Sequence, residues 1–531
     1  MVSVALRLRL LALCLFGLYA VPVHFWPDMH TANEAIRLYF VQAAVDHHEL
    51  SVDRVLARYR MENLDRSVKD GKSYLDKAPG LSLLAIPPYW VLTRLGFSTE
   101  LARMPYLSHF LLLLVVAIPC VLGAGATFSS ALELGGDARA ARRAALLLGI
   151  ASPYAIYATL FFGHAACAAC LAGAFWVAQR VRHGLCDERW LLASGALAGL
   201  MVLIETPAAL LGLGLSIYVA LAHRSPRALA LFGVGAAPFL AIQITYNWAL
   251  FGGPFAFAYG YKSDRMQAAS HARGLFGIAL PRLENVARLL VGSTRGLFFG
   301  WPVLLLSVPG LVAMRKRRDL RPEWWTITLL PIGYVLAISS FADWRAGAAY
   351  GPRHLVPVVP LLVLPLAFVR DRVSTMLLPG LAGFSFFSAF APIVTFPYAM
   401  EQFDNPVFEQ ALPLLADGYL GPSLLSWLGA PAATLAAWVV LLGALVAFLH
   451  AHEKEGAGPS FRPDAMARAL LTATACFVAA AACTPAPTPA KLASRANVLS
   501  MFGARGAAEA RAICEQANAC ERHLLRFLEK P

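Results

Sequence analysis

Apolar runs near the roughly 20 residues that a bilayer-crossing helix needs recur along this chain, separated by short polar breaks. They predict spanning helices near 4–22, 105–131, 143–162, 164–181, 189–204, 206–222, 228–250, 297–314, 324–341, 353–369, 374–396, 430–450 and 466–483. Backbone polar groups in lipid must be satisfied internally, and long Leu/Ala/Val runs do this as helices rather than as a barrel. The expected fold is therefore all-α, a polytopic membrane protein of about thirteen transmembrane helices.

Pro79 to Leu95 is apolar but interrupted by Pro87-Pro88. If it lies along or re-enters the outer face, the clusters Arg139/Arg142/Arg143, Arg224/Arg227, Arg315/Lys316/Arg317/Arg318 and Arg370/Arg372 all fall inside. A crossing there would put them outside, against the positive-inside rule. The first run, Val4 to Val21, then reads as a spanning helix with its N-terminus inside, since no clear small-x-small cleavage site follows it. Four larger outer loops result: 23–104, 251–296, 342–352 and 397–429. Segment 189–222 forms a hairpin tipped by Glu205-Thr206-Pro207. Residues 1–484 make the membrane domain. Residues 485–531 are a Pro/Ala linker and an outer tail with a short helix over 506–528.

Composition agrees. Hydrophobic residues are 58% and charged residues 15% of 531, against about 25% charged in soluble domains. The net charge of +13 sits in short loops and sets orientation, and no nucleic-acid module is visible. Seven of the nine cysteines lie in or beside apolar runs, where cysteine acts as a small hydrophobe. Cys514 and Cys520, in the polar tail, are disulfide candidates if the tail is outside the cytoplasm. No nucleotide or HEXXH motif is present.

Chemistry concentrates in the long polar segment Trp26 to Lys77. Asp28 opens it. Glu34 and Arg37, one helical turn apart, share a face, on a helix whose Ala32, Ile36, Tyr39, Phe40 and Ala43 suit a membrane interface. Asp76-Lys77-Ala78-Pro79-Gly80 sets a carboxylate and an ammonium before a Pro-Gly break, where they can anchor a phosphate head-group. Glu205 is the lone carboxylate within an apolar hairpin, and ionisable groups at such depth are functional candidates. Asp343-Trp344-Arg345 and Tyr350-Gly351-Pro352-Arg353-His354 form an outer loop dense in aromatics and cations. There Arg353 can hold a phosphate bidentately. Tyr259-Gly260-Tyr261-Lys262 is similar but less specific. His164, Cys167 and Cys170 lack a further ligand nearby, so His164 reads as a polar contact, and no residue set supports a divalent metal.

Together these features resemble the GT-C superfamily of membrane glycosyltransferases that use polyprenyl-phosphate-linked sugars, nearest the protein O-mannosyltransferase and aminoarabinose lipid A transferase branches. Glu34-Ala35-Ile36-Arg37-Leu38-Tyr39 is similar to the acid-plus-arginine opening of that family's first outer loop. Tyr74-Leu75-Asp76-Lys77-Ala78-Pro79-Gly80 is similar to its acid-Lys-Pro stretch. Where the family has adjacent Asp-Glu, this chain has Asn33-Glu34. The resemblance implies juxtamembrane helices in the first outer loop, a plasma-membrane enzyme with an extracytoplasmic site, and a lipid-linked sugar donor, with a divalent metal left open. It implies Glu34, Asp28 or Asp76 as base. Arg37, Lys77, Tyr74, His164, Glu205, Lys262, Trp344, Arg345, Tyr350, Arg353 and His354 then contact the donor. The implied partners are membrane lipids, a polyprenyl-phosphate sugar and an extracytoplasmic acceptor. A transporter or flippase for a lipid-linked glycan, or a non-catalytic subunit of an envelope complex, would account for the same pattern without a base.

Overall fold

A computed structural model describes residues 4–24, 31–59, 65–263, 277–341, 343–430, 433–451 and 463–517. Nearly all of its regular structure is helical. Among the described residues four helices are long and apolar enough to cross a membrane: Met104–Glu133, Thr206–His223, Pro226–Phe251 and Arg372–Val394. Six shorter apolar helices accompany them, so thirteen crossings remain an expectation.

Prolines and polar caps break several expected spans. The run 143–162 divides at Ser152, whose side chain accepts from the Tyr154 N–H and caps the short Pro153–Tyr157 helix. The run 353–369 is a chain of short turns, Arg353–Val358, Val359–Val363 and Leu364–Phe368, because Pro357, Pro360 and Pro365 remove donors in succession. Pro79 to Leu95 folds as the helix Gly80–Arg94. Pro87 and Pro88 lie within it, and Pro88 strips the Leu84 carbonyl of its i+4 donor. Part of the expected linker is ordered too. Thr488 accepts from the Lys491 N–H to start the helix Pro489–Leu499, and Lys491 reaches Asp404 at 2.8 Å and Glu409 at 2.6 Å. The tail is thereby fastened to the 397–429 loop. The helix expected at 506–528 runs Gly503–Ala517 within the described residues. Cys514 is disulfide-bonded, while its expected partner Cys520 lies outside the described residues.

One small sheet modifies the all-α expectation. Strands Arg66–Lys69 and Lys72–Leu75 pair antiparallel, with Arg66 opposite Leu75. The two-residue turn Asp70-Gly71 has φ of 52° and 76°, the left-handed pair that Asp-Gly hairpins favour. This hairpin organises the site. Its Ser67 bridges Lys262, its Arg66 carbonyl accepts from the Ser263 N–H at 3.0 Å, and its second strand runs directly into Asp76 and Lys77.

The apolar core supports that arrangement. Helices Leu191–Ile204 and Pro226–Phe251 pack through Gly195 and Gly199, where an added Cβ would strike the Phe232 and Ala236 carbonyls. This is the small-residue contact that lets membrane helices approach closely. The first of these helices ends at Glu205.

Candidate functional site

Six separated stretches of the chain converge on one buried cleft of about 20 Å³, the room of a single water. The helix Ala32–Asp46 contributes Asn33 and Arg37. The hairpin exit gives Lys77, the hairpin tip at 205–207 gives Glu205, the second outer loop gives Tyr259 and Lys262, and the 341–354 loop gives Asp343, Arg353 and His354; His164 also lines it. Gly80 permits the approach of the first loop. A Cβ there would lie 2.5 Å from the Leu203 carbonyl, so any side chain would push Lys77 away from Glu205.

The charges interlock. Lys77 Nζ contacts Asp76 Oδ2 at 3.0 Å and Asp65 Oδ2 at 3.1 Å. Lys262 Nζ reaches the same Asp76 oxygen at 3.4 Å. Asp76 is fully buried, and its Oδ1 has no hydrogen-bond partner among the described residues. Arg37 Nη2 donates to Glu205 Oε1 at 3.3 Å, its Nε to Asn33 Oδ1 at 3.2 Å and its Nη1 to the Ala78 carbonyl at 3.4 Å. His164 Nδ1 lies 3.5 Å from Glu205 Oε1. Arg353 differs from the other cations. It stacks over the Phe162 ring at 5.4 Å, and among the described residues its buried Nε has no partner and no carboxylate contacts it.

Electrostatics follow from this pairing. Burial raises the Asp76 carboxyl above its ordinary range, against the pull of Lys77. For Asp65 burial acts in the same upward direction, but Lys77, Lys262 and Arg353 outweigh it and lower the value. Burial also opposes charge on Lys77, yet Asp65 and Asp76 prevail and keep the ammonium charged above the usual lysine range.

The sequence candidates separate into three groups. Arg37, Lys77, His164, Glu205, Lys262, Arg353 and His354 all line the cleft, and Asp76 lies directly behind its lysines. Glu34 does not line it. Glu34 Oε1 accepts the Phe161 N–H at 2.5 Å, and Oε2 accepts the hydroxyls of Thr31 at 2.9 Å and of Tyr398. Arg37 accordingly pairs with Glu205 rather than with Glu34, its neighbour one turn away. Tyr74 packs edge-on against Phe251, Arg345 stacks on Trp344, and the Tyr350 hydroxyl accepts from Gln410 Nε2 at 2.9 Å. Asp28 lies outside the described residues. Asn33, Asp65 and Tyr398 carry no role in the sequence reading, and Tyr259 enters it only within its aromatic cluster. Tyr259 carried a signal, three positions before Lys262 in an aromatic loop. Asp65 and Tyr398 had none, because their partners are 12 and 364 residues away (77 − 65 for the Lys77 contact).

No family model and no curated protein matches this chain. Among solved structures it is similar to ArnT from Cupriavidus metallidurans in the apo state, at 17% identity and TM-score 0.44, covering 93% of this chain and 79% of that one. It is also similar to the Archaeoglobus fulgidus oligosaccharyltransferase in the apo form, at 14% identity and TM-score 0.41, covering 96% of this chain and 59% of that one.

Proposed function

We propose that this chain is an integral-membrane inverting glycosyltransferase that moves a sugar from a polyprenyl-phosphate carrier to a hydroxyl on an extracytoplasmic acceptor. The observation that carries the reading is the cleft itself. Lys77, Lys262, Arg37 and the unpaired Arg353 face a buried hollow that also holds the carboxylate of Glu205, at the ends of strongly apolar helices. That is the chemistry a lipid-borne phosphate ester requires. The short acid-Lys-Pro resemblance at Asp76-Lys77-Ala78-Pro79 supports the same donor class.

In this mechanism Arg353 and Lys262 hold the phosphate oxygens, with Lys77 behind them. Glu205 accepts the proton of the acceptor hydroxyl as its oxygen bonds to the anomeric carbon. The carbon–oxygen bond to phosphate breaks, and its electron pair leaves on the phosphate, whose new charge the cations stabilise. Attack opposite the leaving group inverts the anomeric centre. His164 and Arg37 orient Glu205. Glu34 is a positioning residue here, tying the start of the Ala32–Asp46 helix to the Phe161 N–H. A good leaving group needs no general acid, so one base suffices.

The test is transfer of radiolabelled sugar from polyprenyl phosphate by purified protein in detergent, across a panel of acceptors. Wild type transfers; Glu205→Gln and Arg353→Gln do not. Sugar that stays on its lipid yet crosses the bilayer of proteoliposomes would replace this reading with a flippase.

A further inference from the structure

The end of the molecule opposite the cleft carries a second feature that the proposed chemistry does not use. The helix Arg321–Ser340 has 20 residues, about 30 Å at 1.5 Å per residue, close to the thickness of a bilayer's hydrocarbon core. Phe341, just past its C-terminal end, borders the cleft. At its other end it meets the helix Ala209–His223. The two helices touch where a Cβ on Gly214 would lie 2.3 Å from a Leu330 methyl. From that contact a hollow runs between them along Ile217, Leu221 and Leu329 to Arg224 and Arg321. A second hollow shares Arg321 and Trp325 with it and adds Arg315, Arg318 and Trp324.

The pairing of these arginines is informative. Several other arginines at this end are matched with acids: Arg182 with Glu323 at 2.8 Å, Arg317 with Asp319 at 2.7 Å, Arg227 with Glu188 at 3.4 Å and Arg370 with Asp137 at 3.4 Å, while Arg143 donates to the Leu366 carbonyl. Arg224, Arg315, Arg318 and Arg321 line the joined hollows, and none contacts a described carboxylate; Arg315 stacks only on Trp324, at 5.8 Å. Four unmatched guanidinium groups therefore rim a channel whose apolar walls are exposed, with Leu221 at 68% and Leu329 at 54%. Simple interfacial anchoring needs tryptophans and arginines at this depth, but not an apolar channel opening beneath them.

We infer that this notch binds one anionic phospholipid of the leaflet facing away from the cleft. Its phosphate lies among the four arginines, which suit phosphate oxygens bidentately. One acyl chain lies in the channel between the two helices, over Ile217 and Leu329. Basic pockets between membrane helices recognise anionic head-groups in this way. The inference does not depend on the reaction at the cleft.

The experiment is native mass spectrometry of the intact protein in detergent, titrated with phosphatidylglycerol and with phosphatidylcholine of the same acyl chains. Wild type is expected to bind phosphatidylglycerol about tenfold more tightly, a difference of about 1.4 kcal/mol. The triple variant R315Q/R318Q/R321Q loses that preference. Removing three positive charges can disturb insertion, so a second variant keeps the charge and fills the channel: Ile217→Trp with Leu329→Trp weakens retention of both lipids. Equal binding of the two lipids by wild type overturns the inference. So does an undiminished preference in the triple variant, unchanged retention in the filled variant, or displacement of the lipid by millimolar inorganic phosphate alone.

Discussion

Two buried glutamates, at opposite ends of the same helix sheaf, are held in contrasting ways. Glu323 is saturated. Arg182 Nη1 reaches its two oxygens at 2.8 and 3.0 Å, the Tyr218 hydroxyl donates at 2.8 Å, and His183 lies 3.3 Å away. Glu205 receives Arg37 and His164 on the one oxygen Oε1 and lines the cleft with Arg353, which contacts no described carboxylate. A buried charge costs several kcal/mol unless it is paired and hydrogen-bonded. At Glu323 the sequence meets that cost completely and leaves no room. At Glu205 it meets the cost in part and leaves space beside it. The difference suits Glu323 to holding helices together and leaves Glu205 open to the ligand proposed above.

The sharpest way to break this contrast is to exchange the outcomes of two substitutions. Glu205→Gln should lower sugar transfer about 10²–10⁴-fold, the usual worth of a general base, and lower the thermal midpoint modestly, because the Gln amide oxygen still accepts from the buried Arg37. Glu323→Ala should instead act on stability, costing about 1–3 kcal/mol because the buried Tyr218 hydroxyl loses its acceptor and the half-buried Arg182 its carboxylate. If denaturation curves show Glu205→Gln to be the less stable of the two, the two clusters have been assigned backwards.

A smaller effect sharpens the geometry. Gly163 begins the helix Gly163–Arg182, and a Cβ there would lie 2.3 Å from Glu205 Oε1. The carboxylate thus sits against a helix N-terminus, whose positive end favours it. Gly163→Ala should displace Glu205 and cost transfer about 10²-fold, as a misplacement near 1 Å can. Steady-state kinetics should show the loss in kcat rather than in KM for the lipid donor.

The smallest effect concerns Glu34. Burial is the chief influence on its carboxyl and raises it above the ordinary value of 4.5; hydrogen bonds from Tyr398, the Phe161 N–H and Thr31 oppose the rise. A folded value above the unfolded one means that this group's contribution to stability is complete below about pH 4.5 and is lost as pH climbs through the folded value. Tyr398→Phe removes one opposing donor. It should cost about 0.5–1.5 kcal/mol and extend the decline to higher pH. Thermal melts from pH 4 to 8, at about half-unit steps, measure both.

Much of the cleft was legible because its charges are out of place in so apolar a chain. Arg37, Lys77, Glu205 and Arg353 each interrupt or flank an apolar run, and the cost of placing them there marks them from sequence alone. Their mutual arrangement was not legible. The helical spacing of Glu34 and Arg37 indicates a shared face, but their oxygen and nitrogen atoms turn to partners 127 and 168 residues away, the Phe161 N–H and Glu205. A backbone donor leaves no trace in residue identity. The Asp70-Gly71 hairpin was readable from its turn residues and was passed over amid the helical periodicity, though it brings Lys262 beside Asp76. The number of crossings was the least readable feature. Hydropathy marks apolar runs, but not where prolines such as Pro153, Pro357 and Pro360 change the helix type or divide a run.

The most direct test of the central claim is the affinity of the purified protein for polyprenyl phosphate compared with polyprenol of the same length, in wild type and Arg353→Gln. Wild type should prefer the phosphate by at least about tenfold, with the preference shrinking as salt rises and largely lost in the variant. Equal affinity of wild type for the phosphate and the alcohol would contradict the account, because the cleft's cations would then have no anionic ligand to hold.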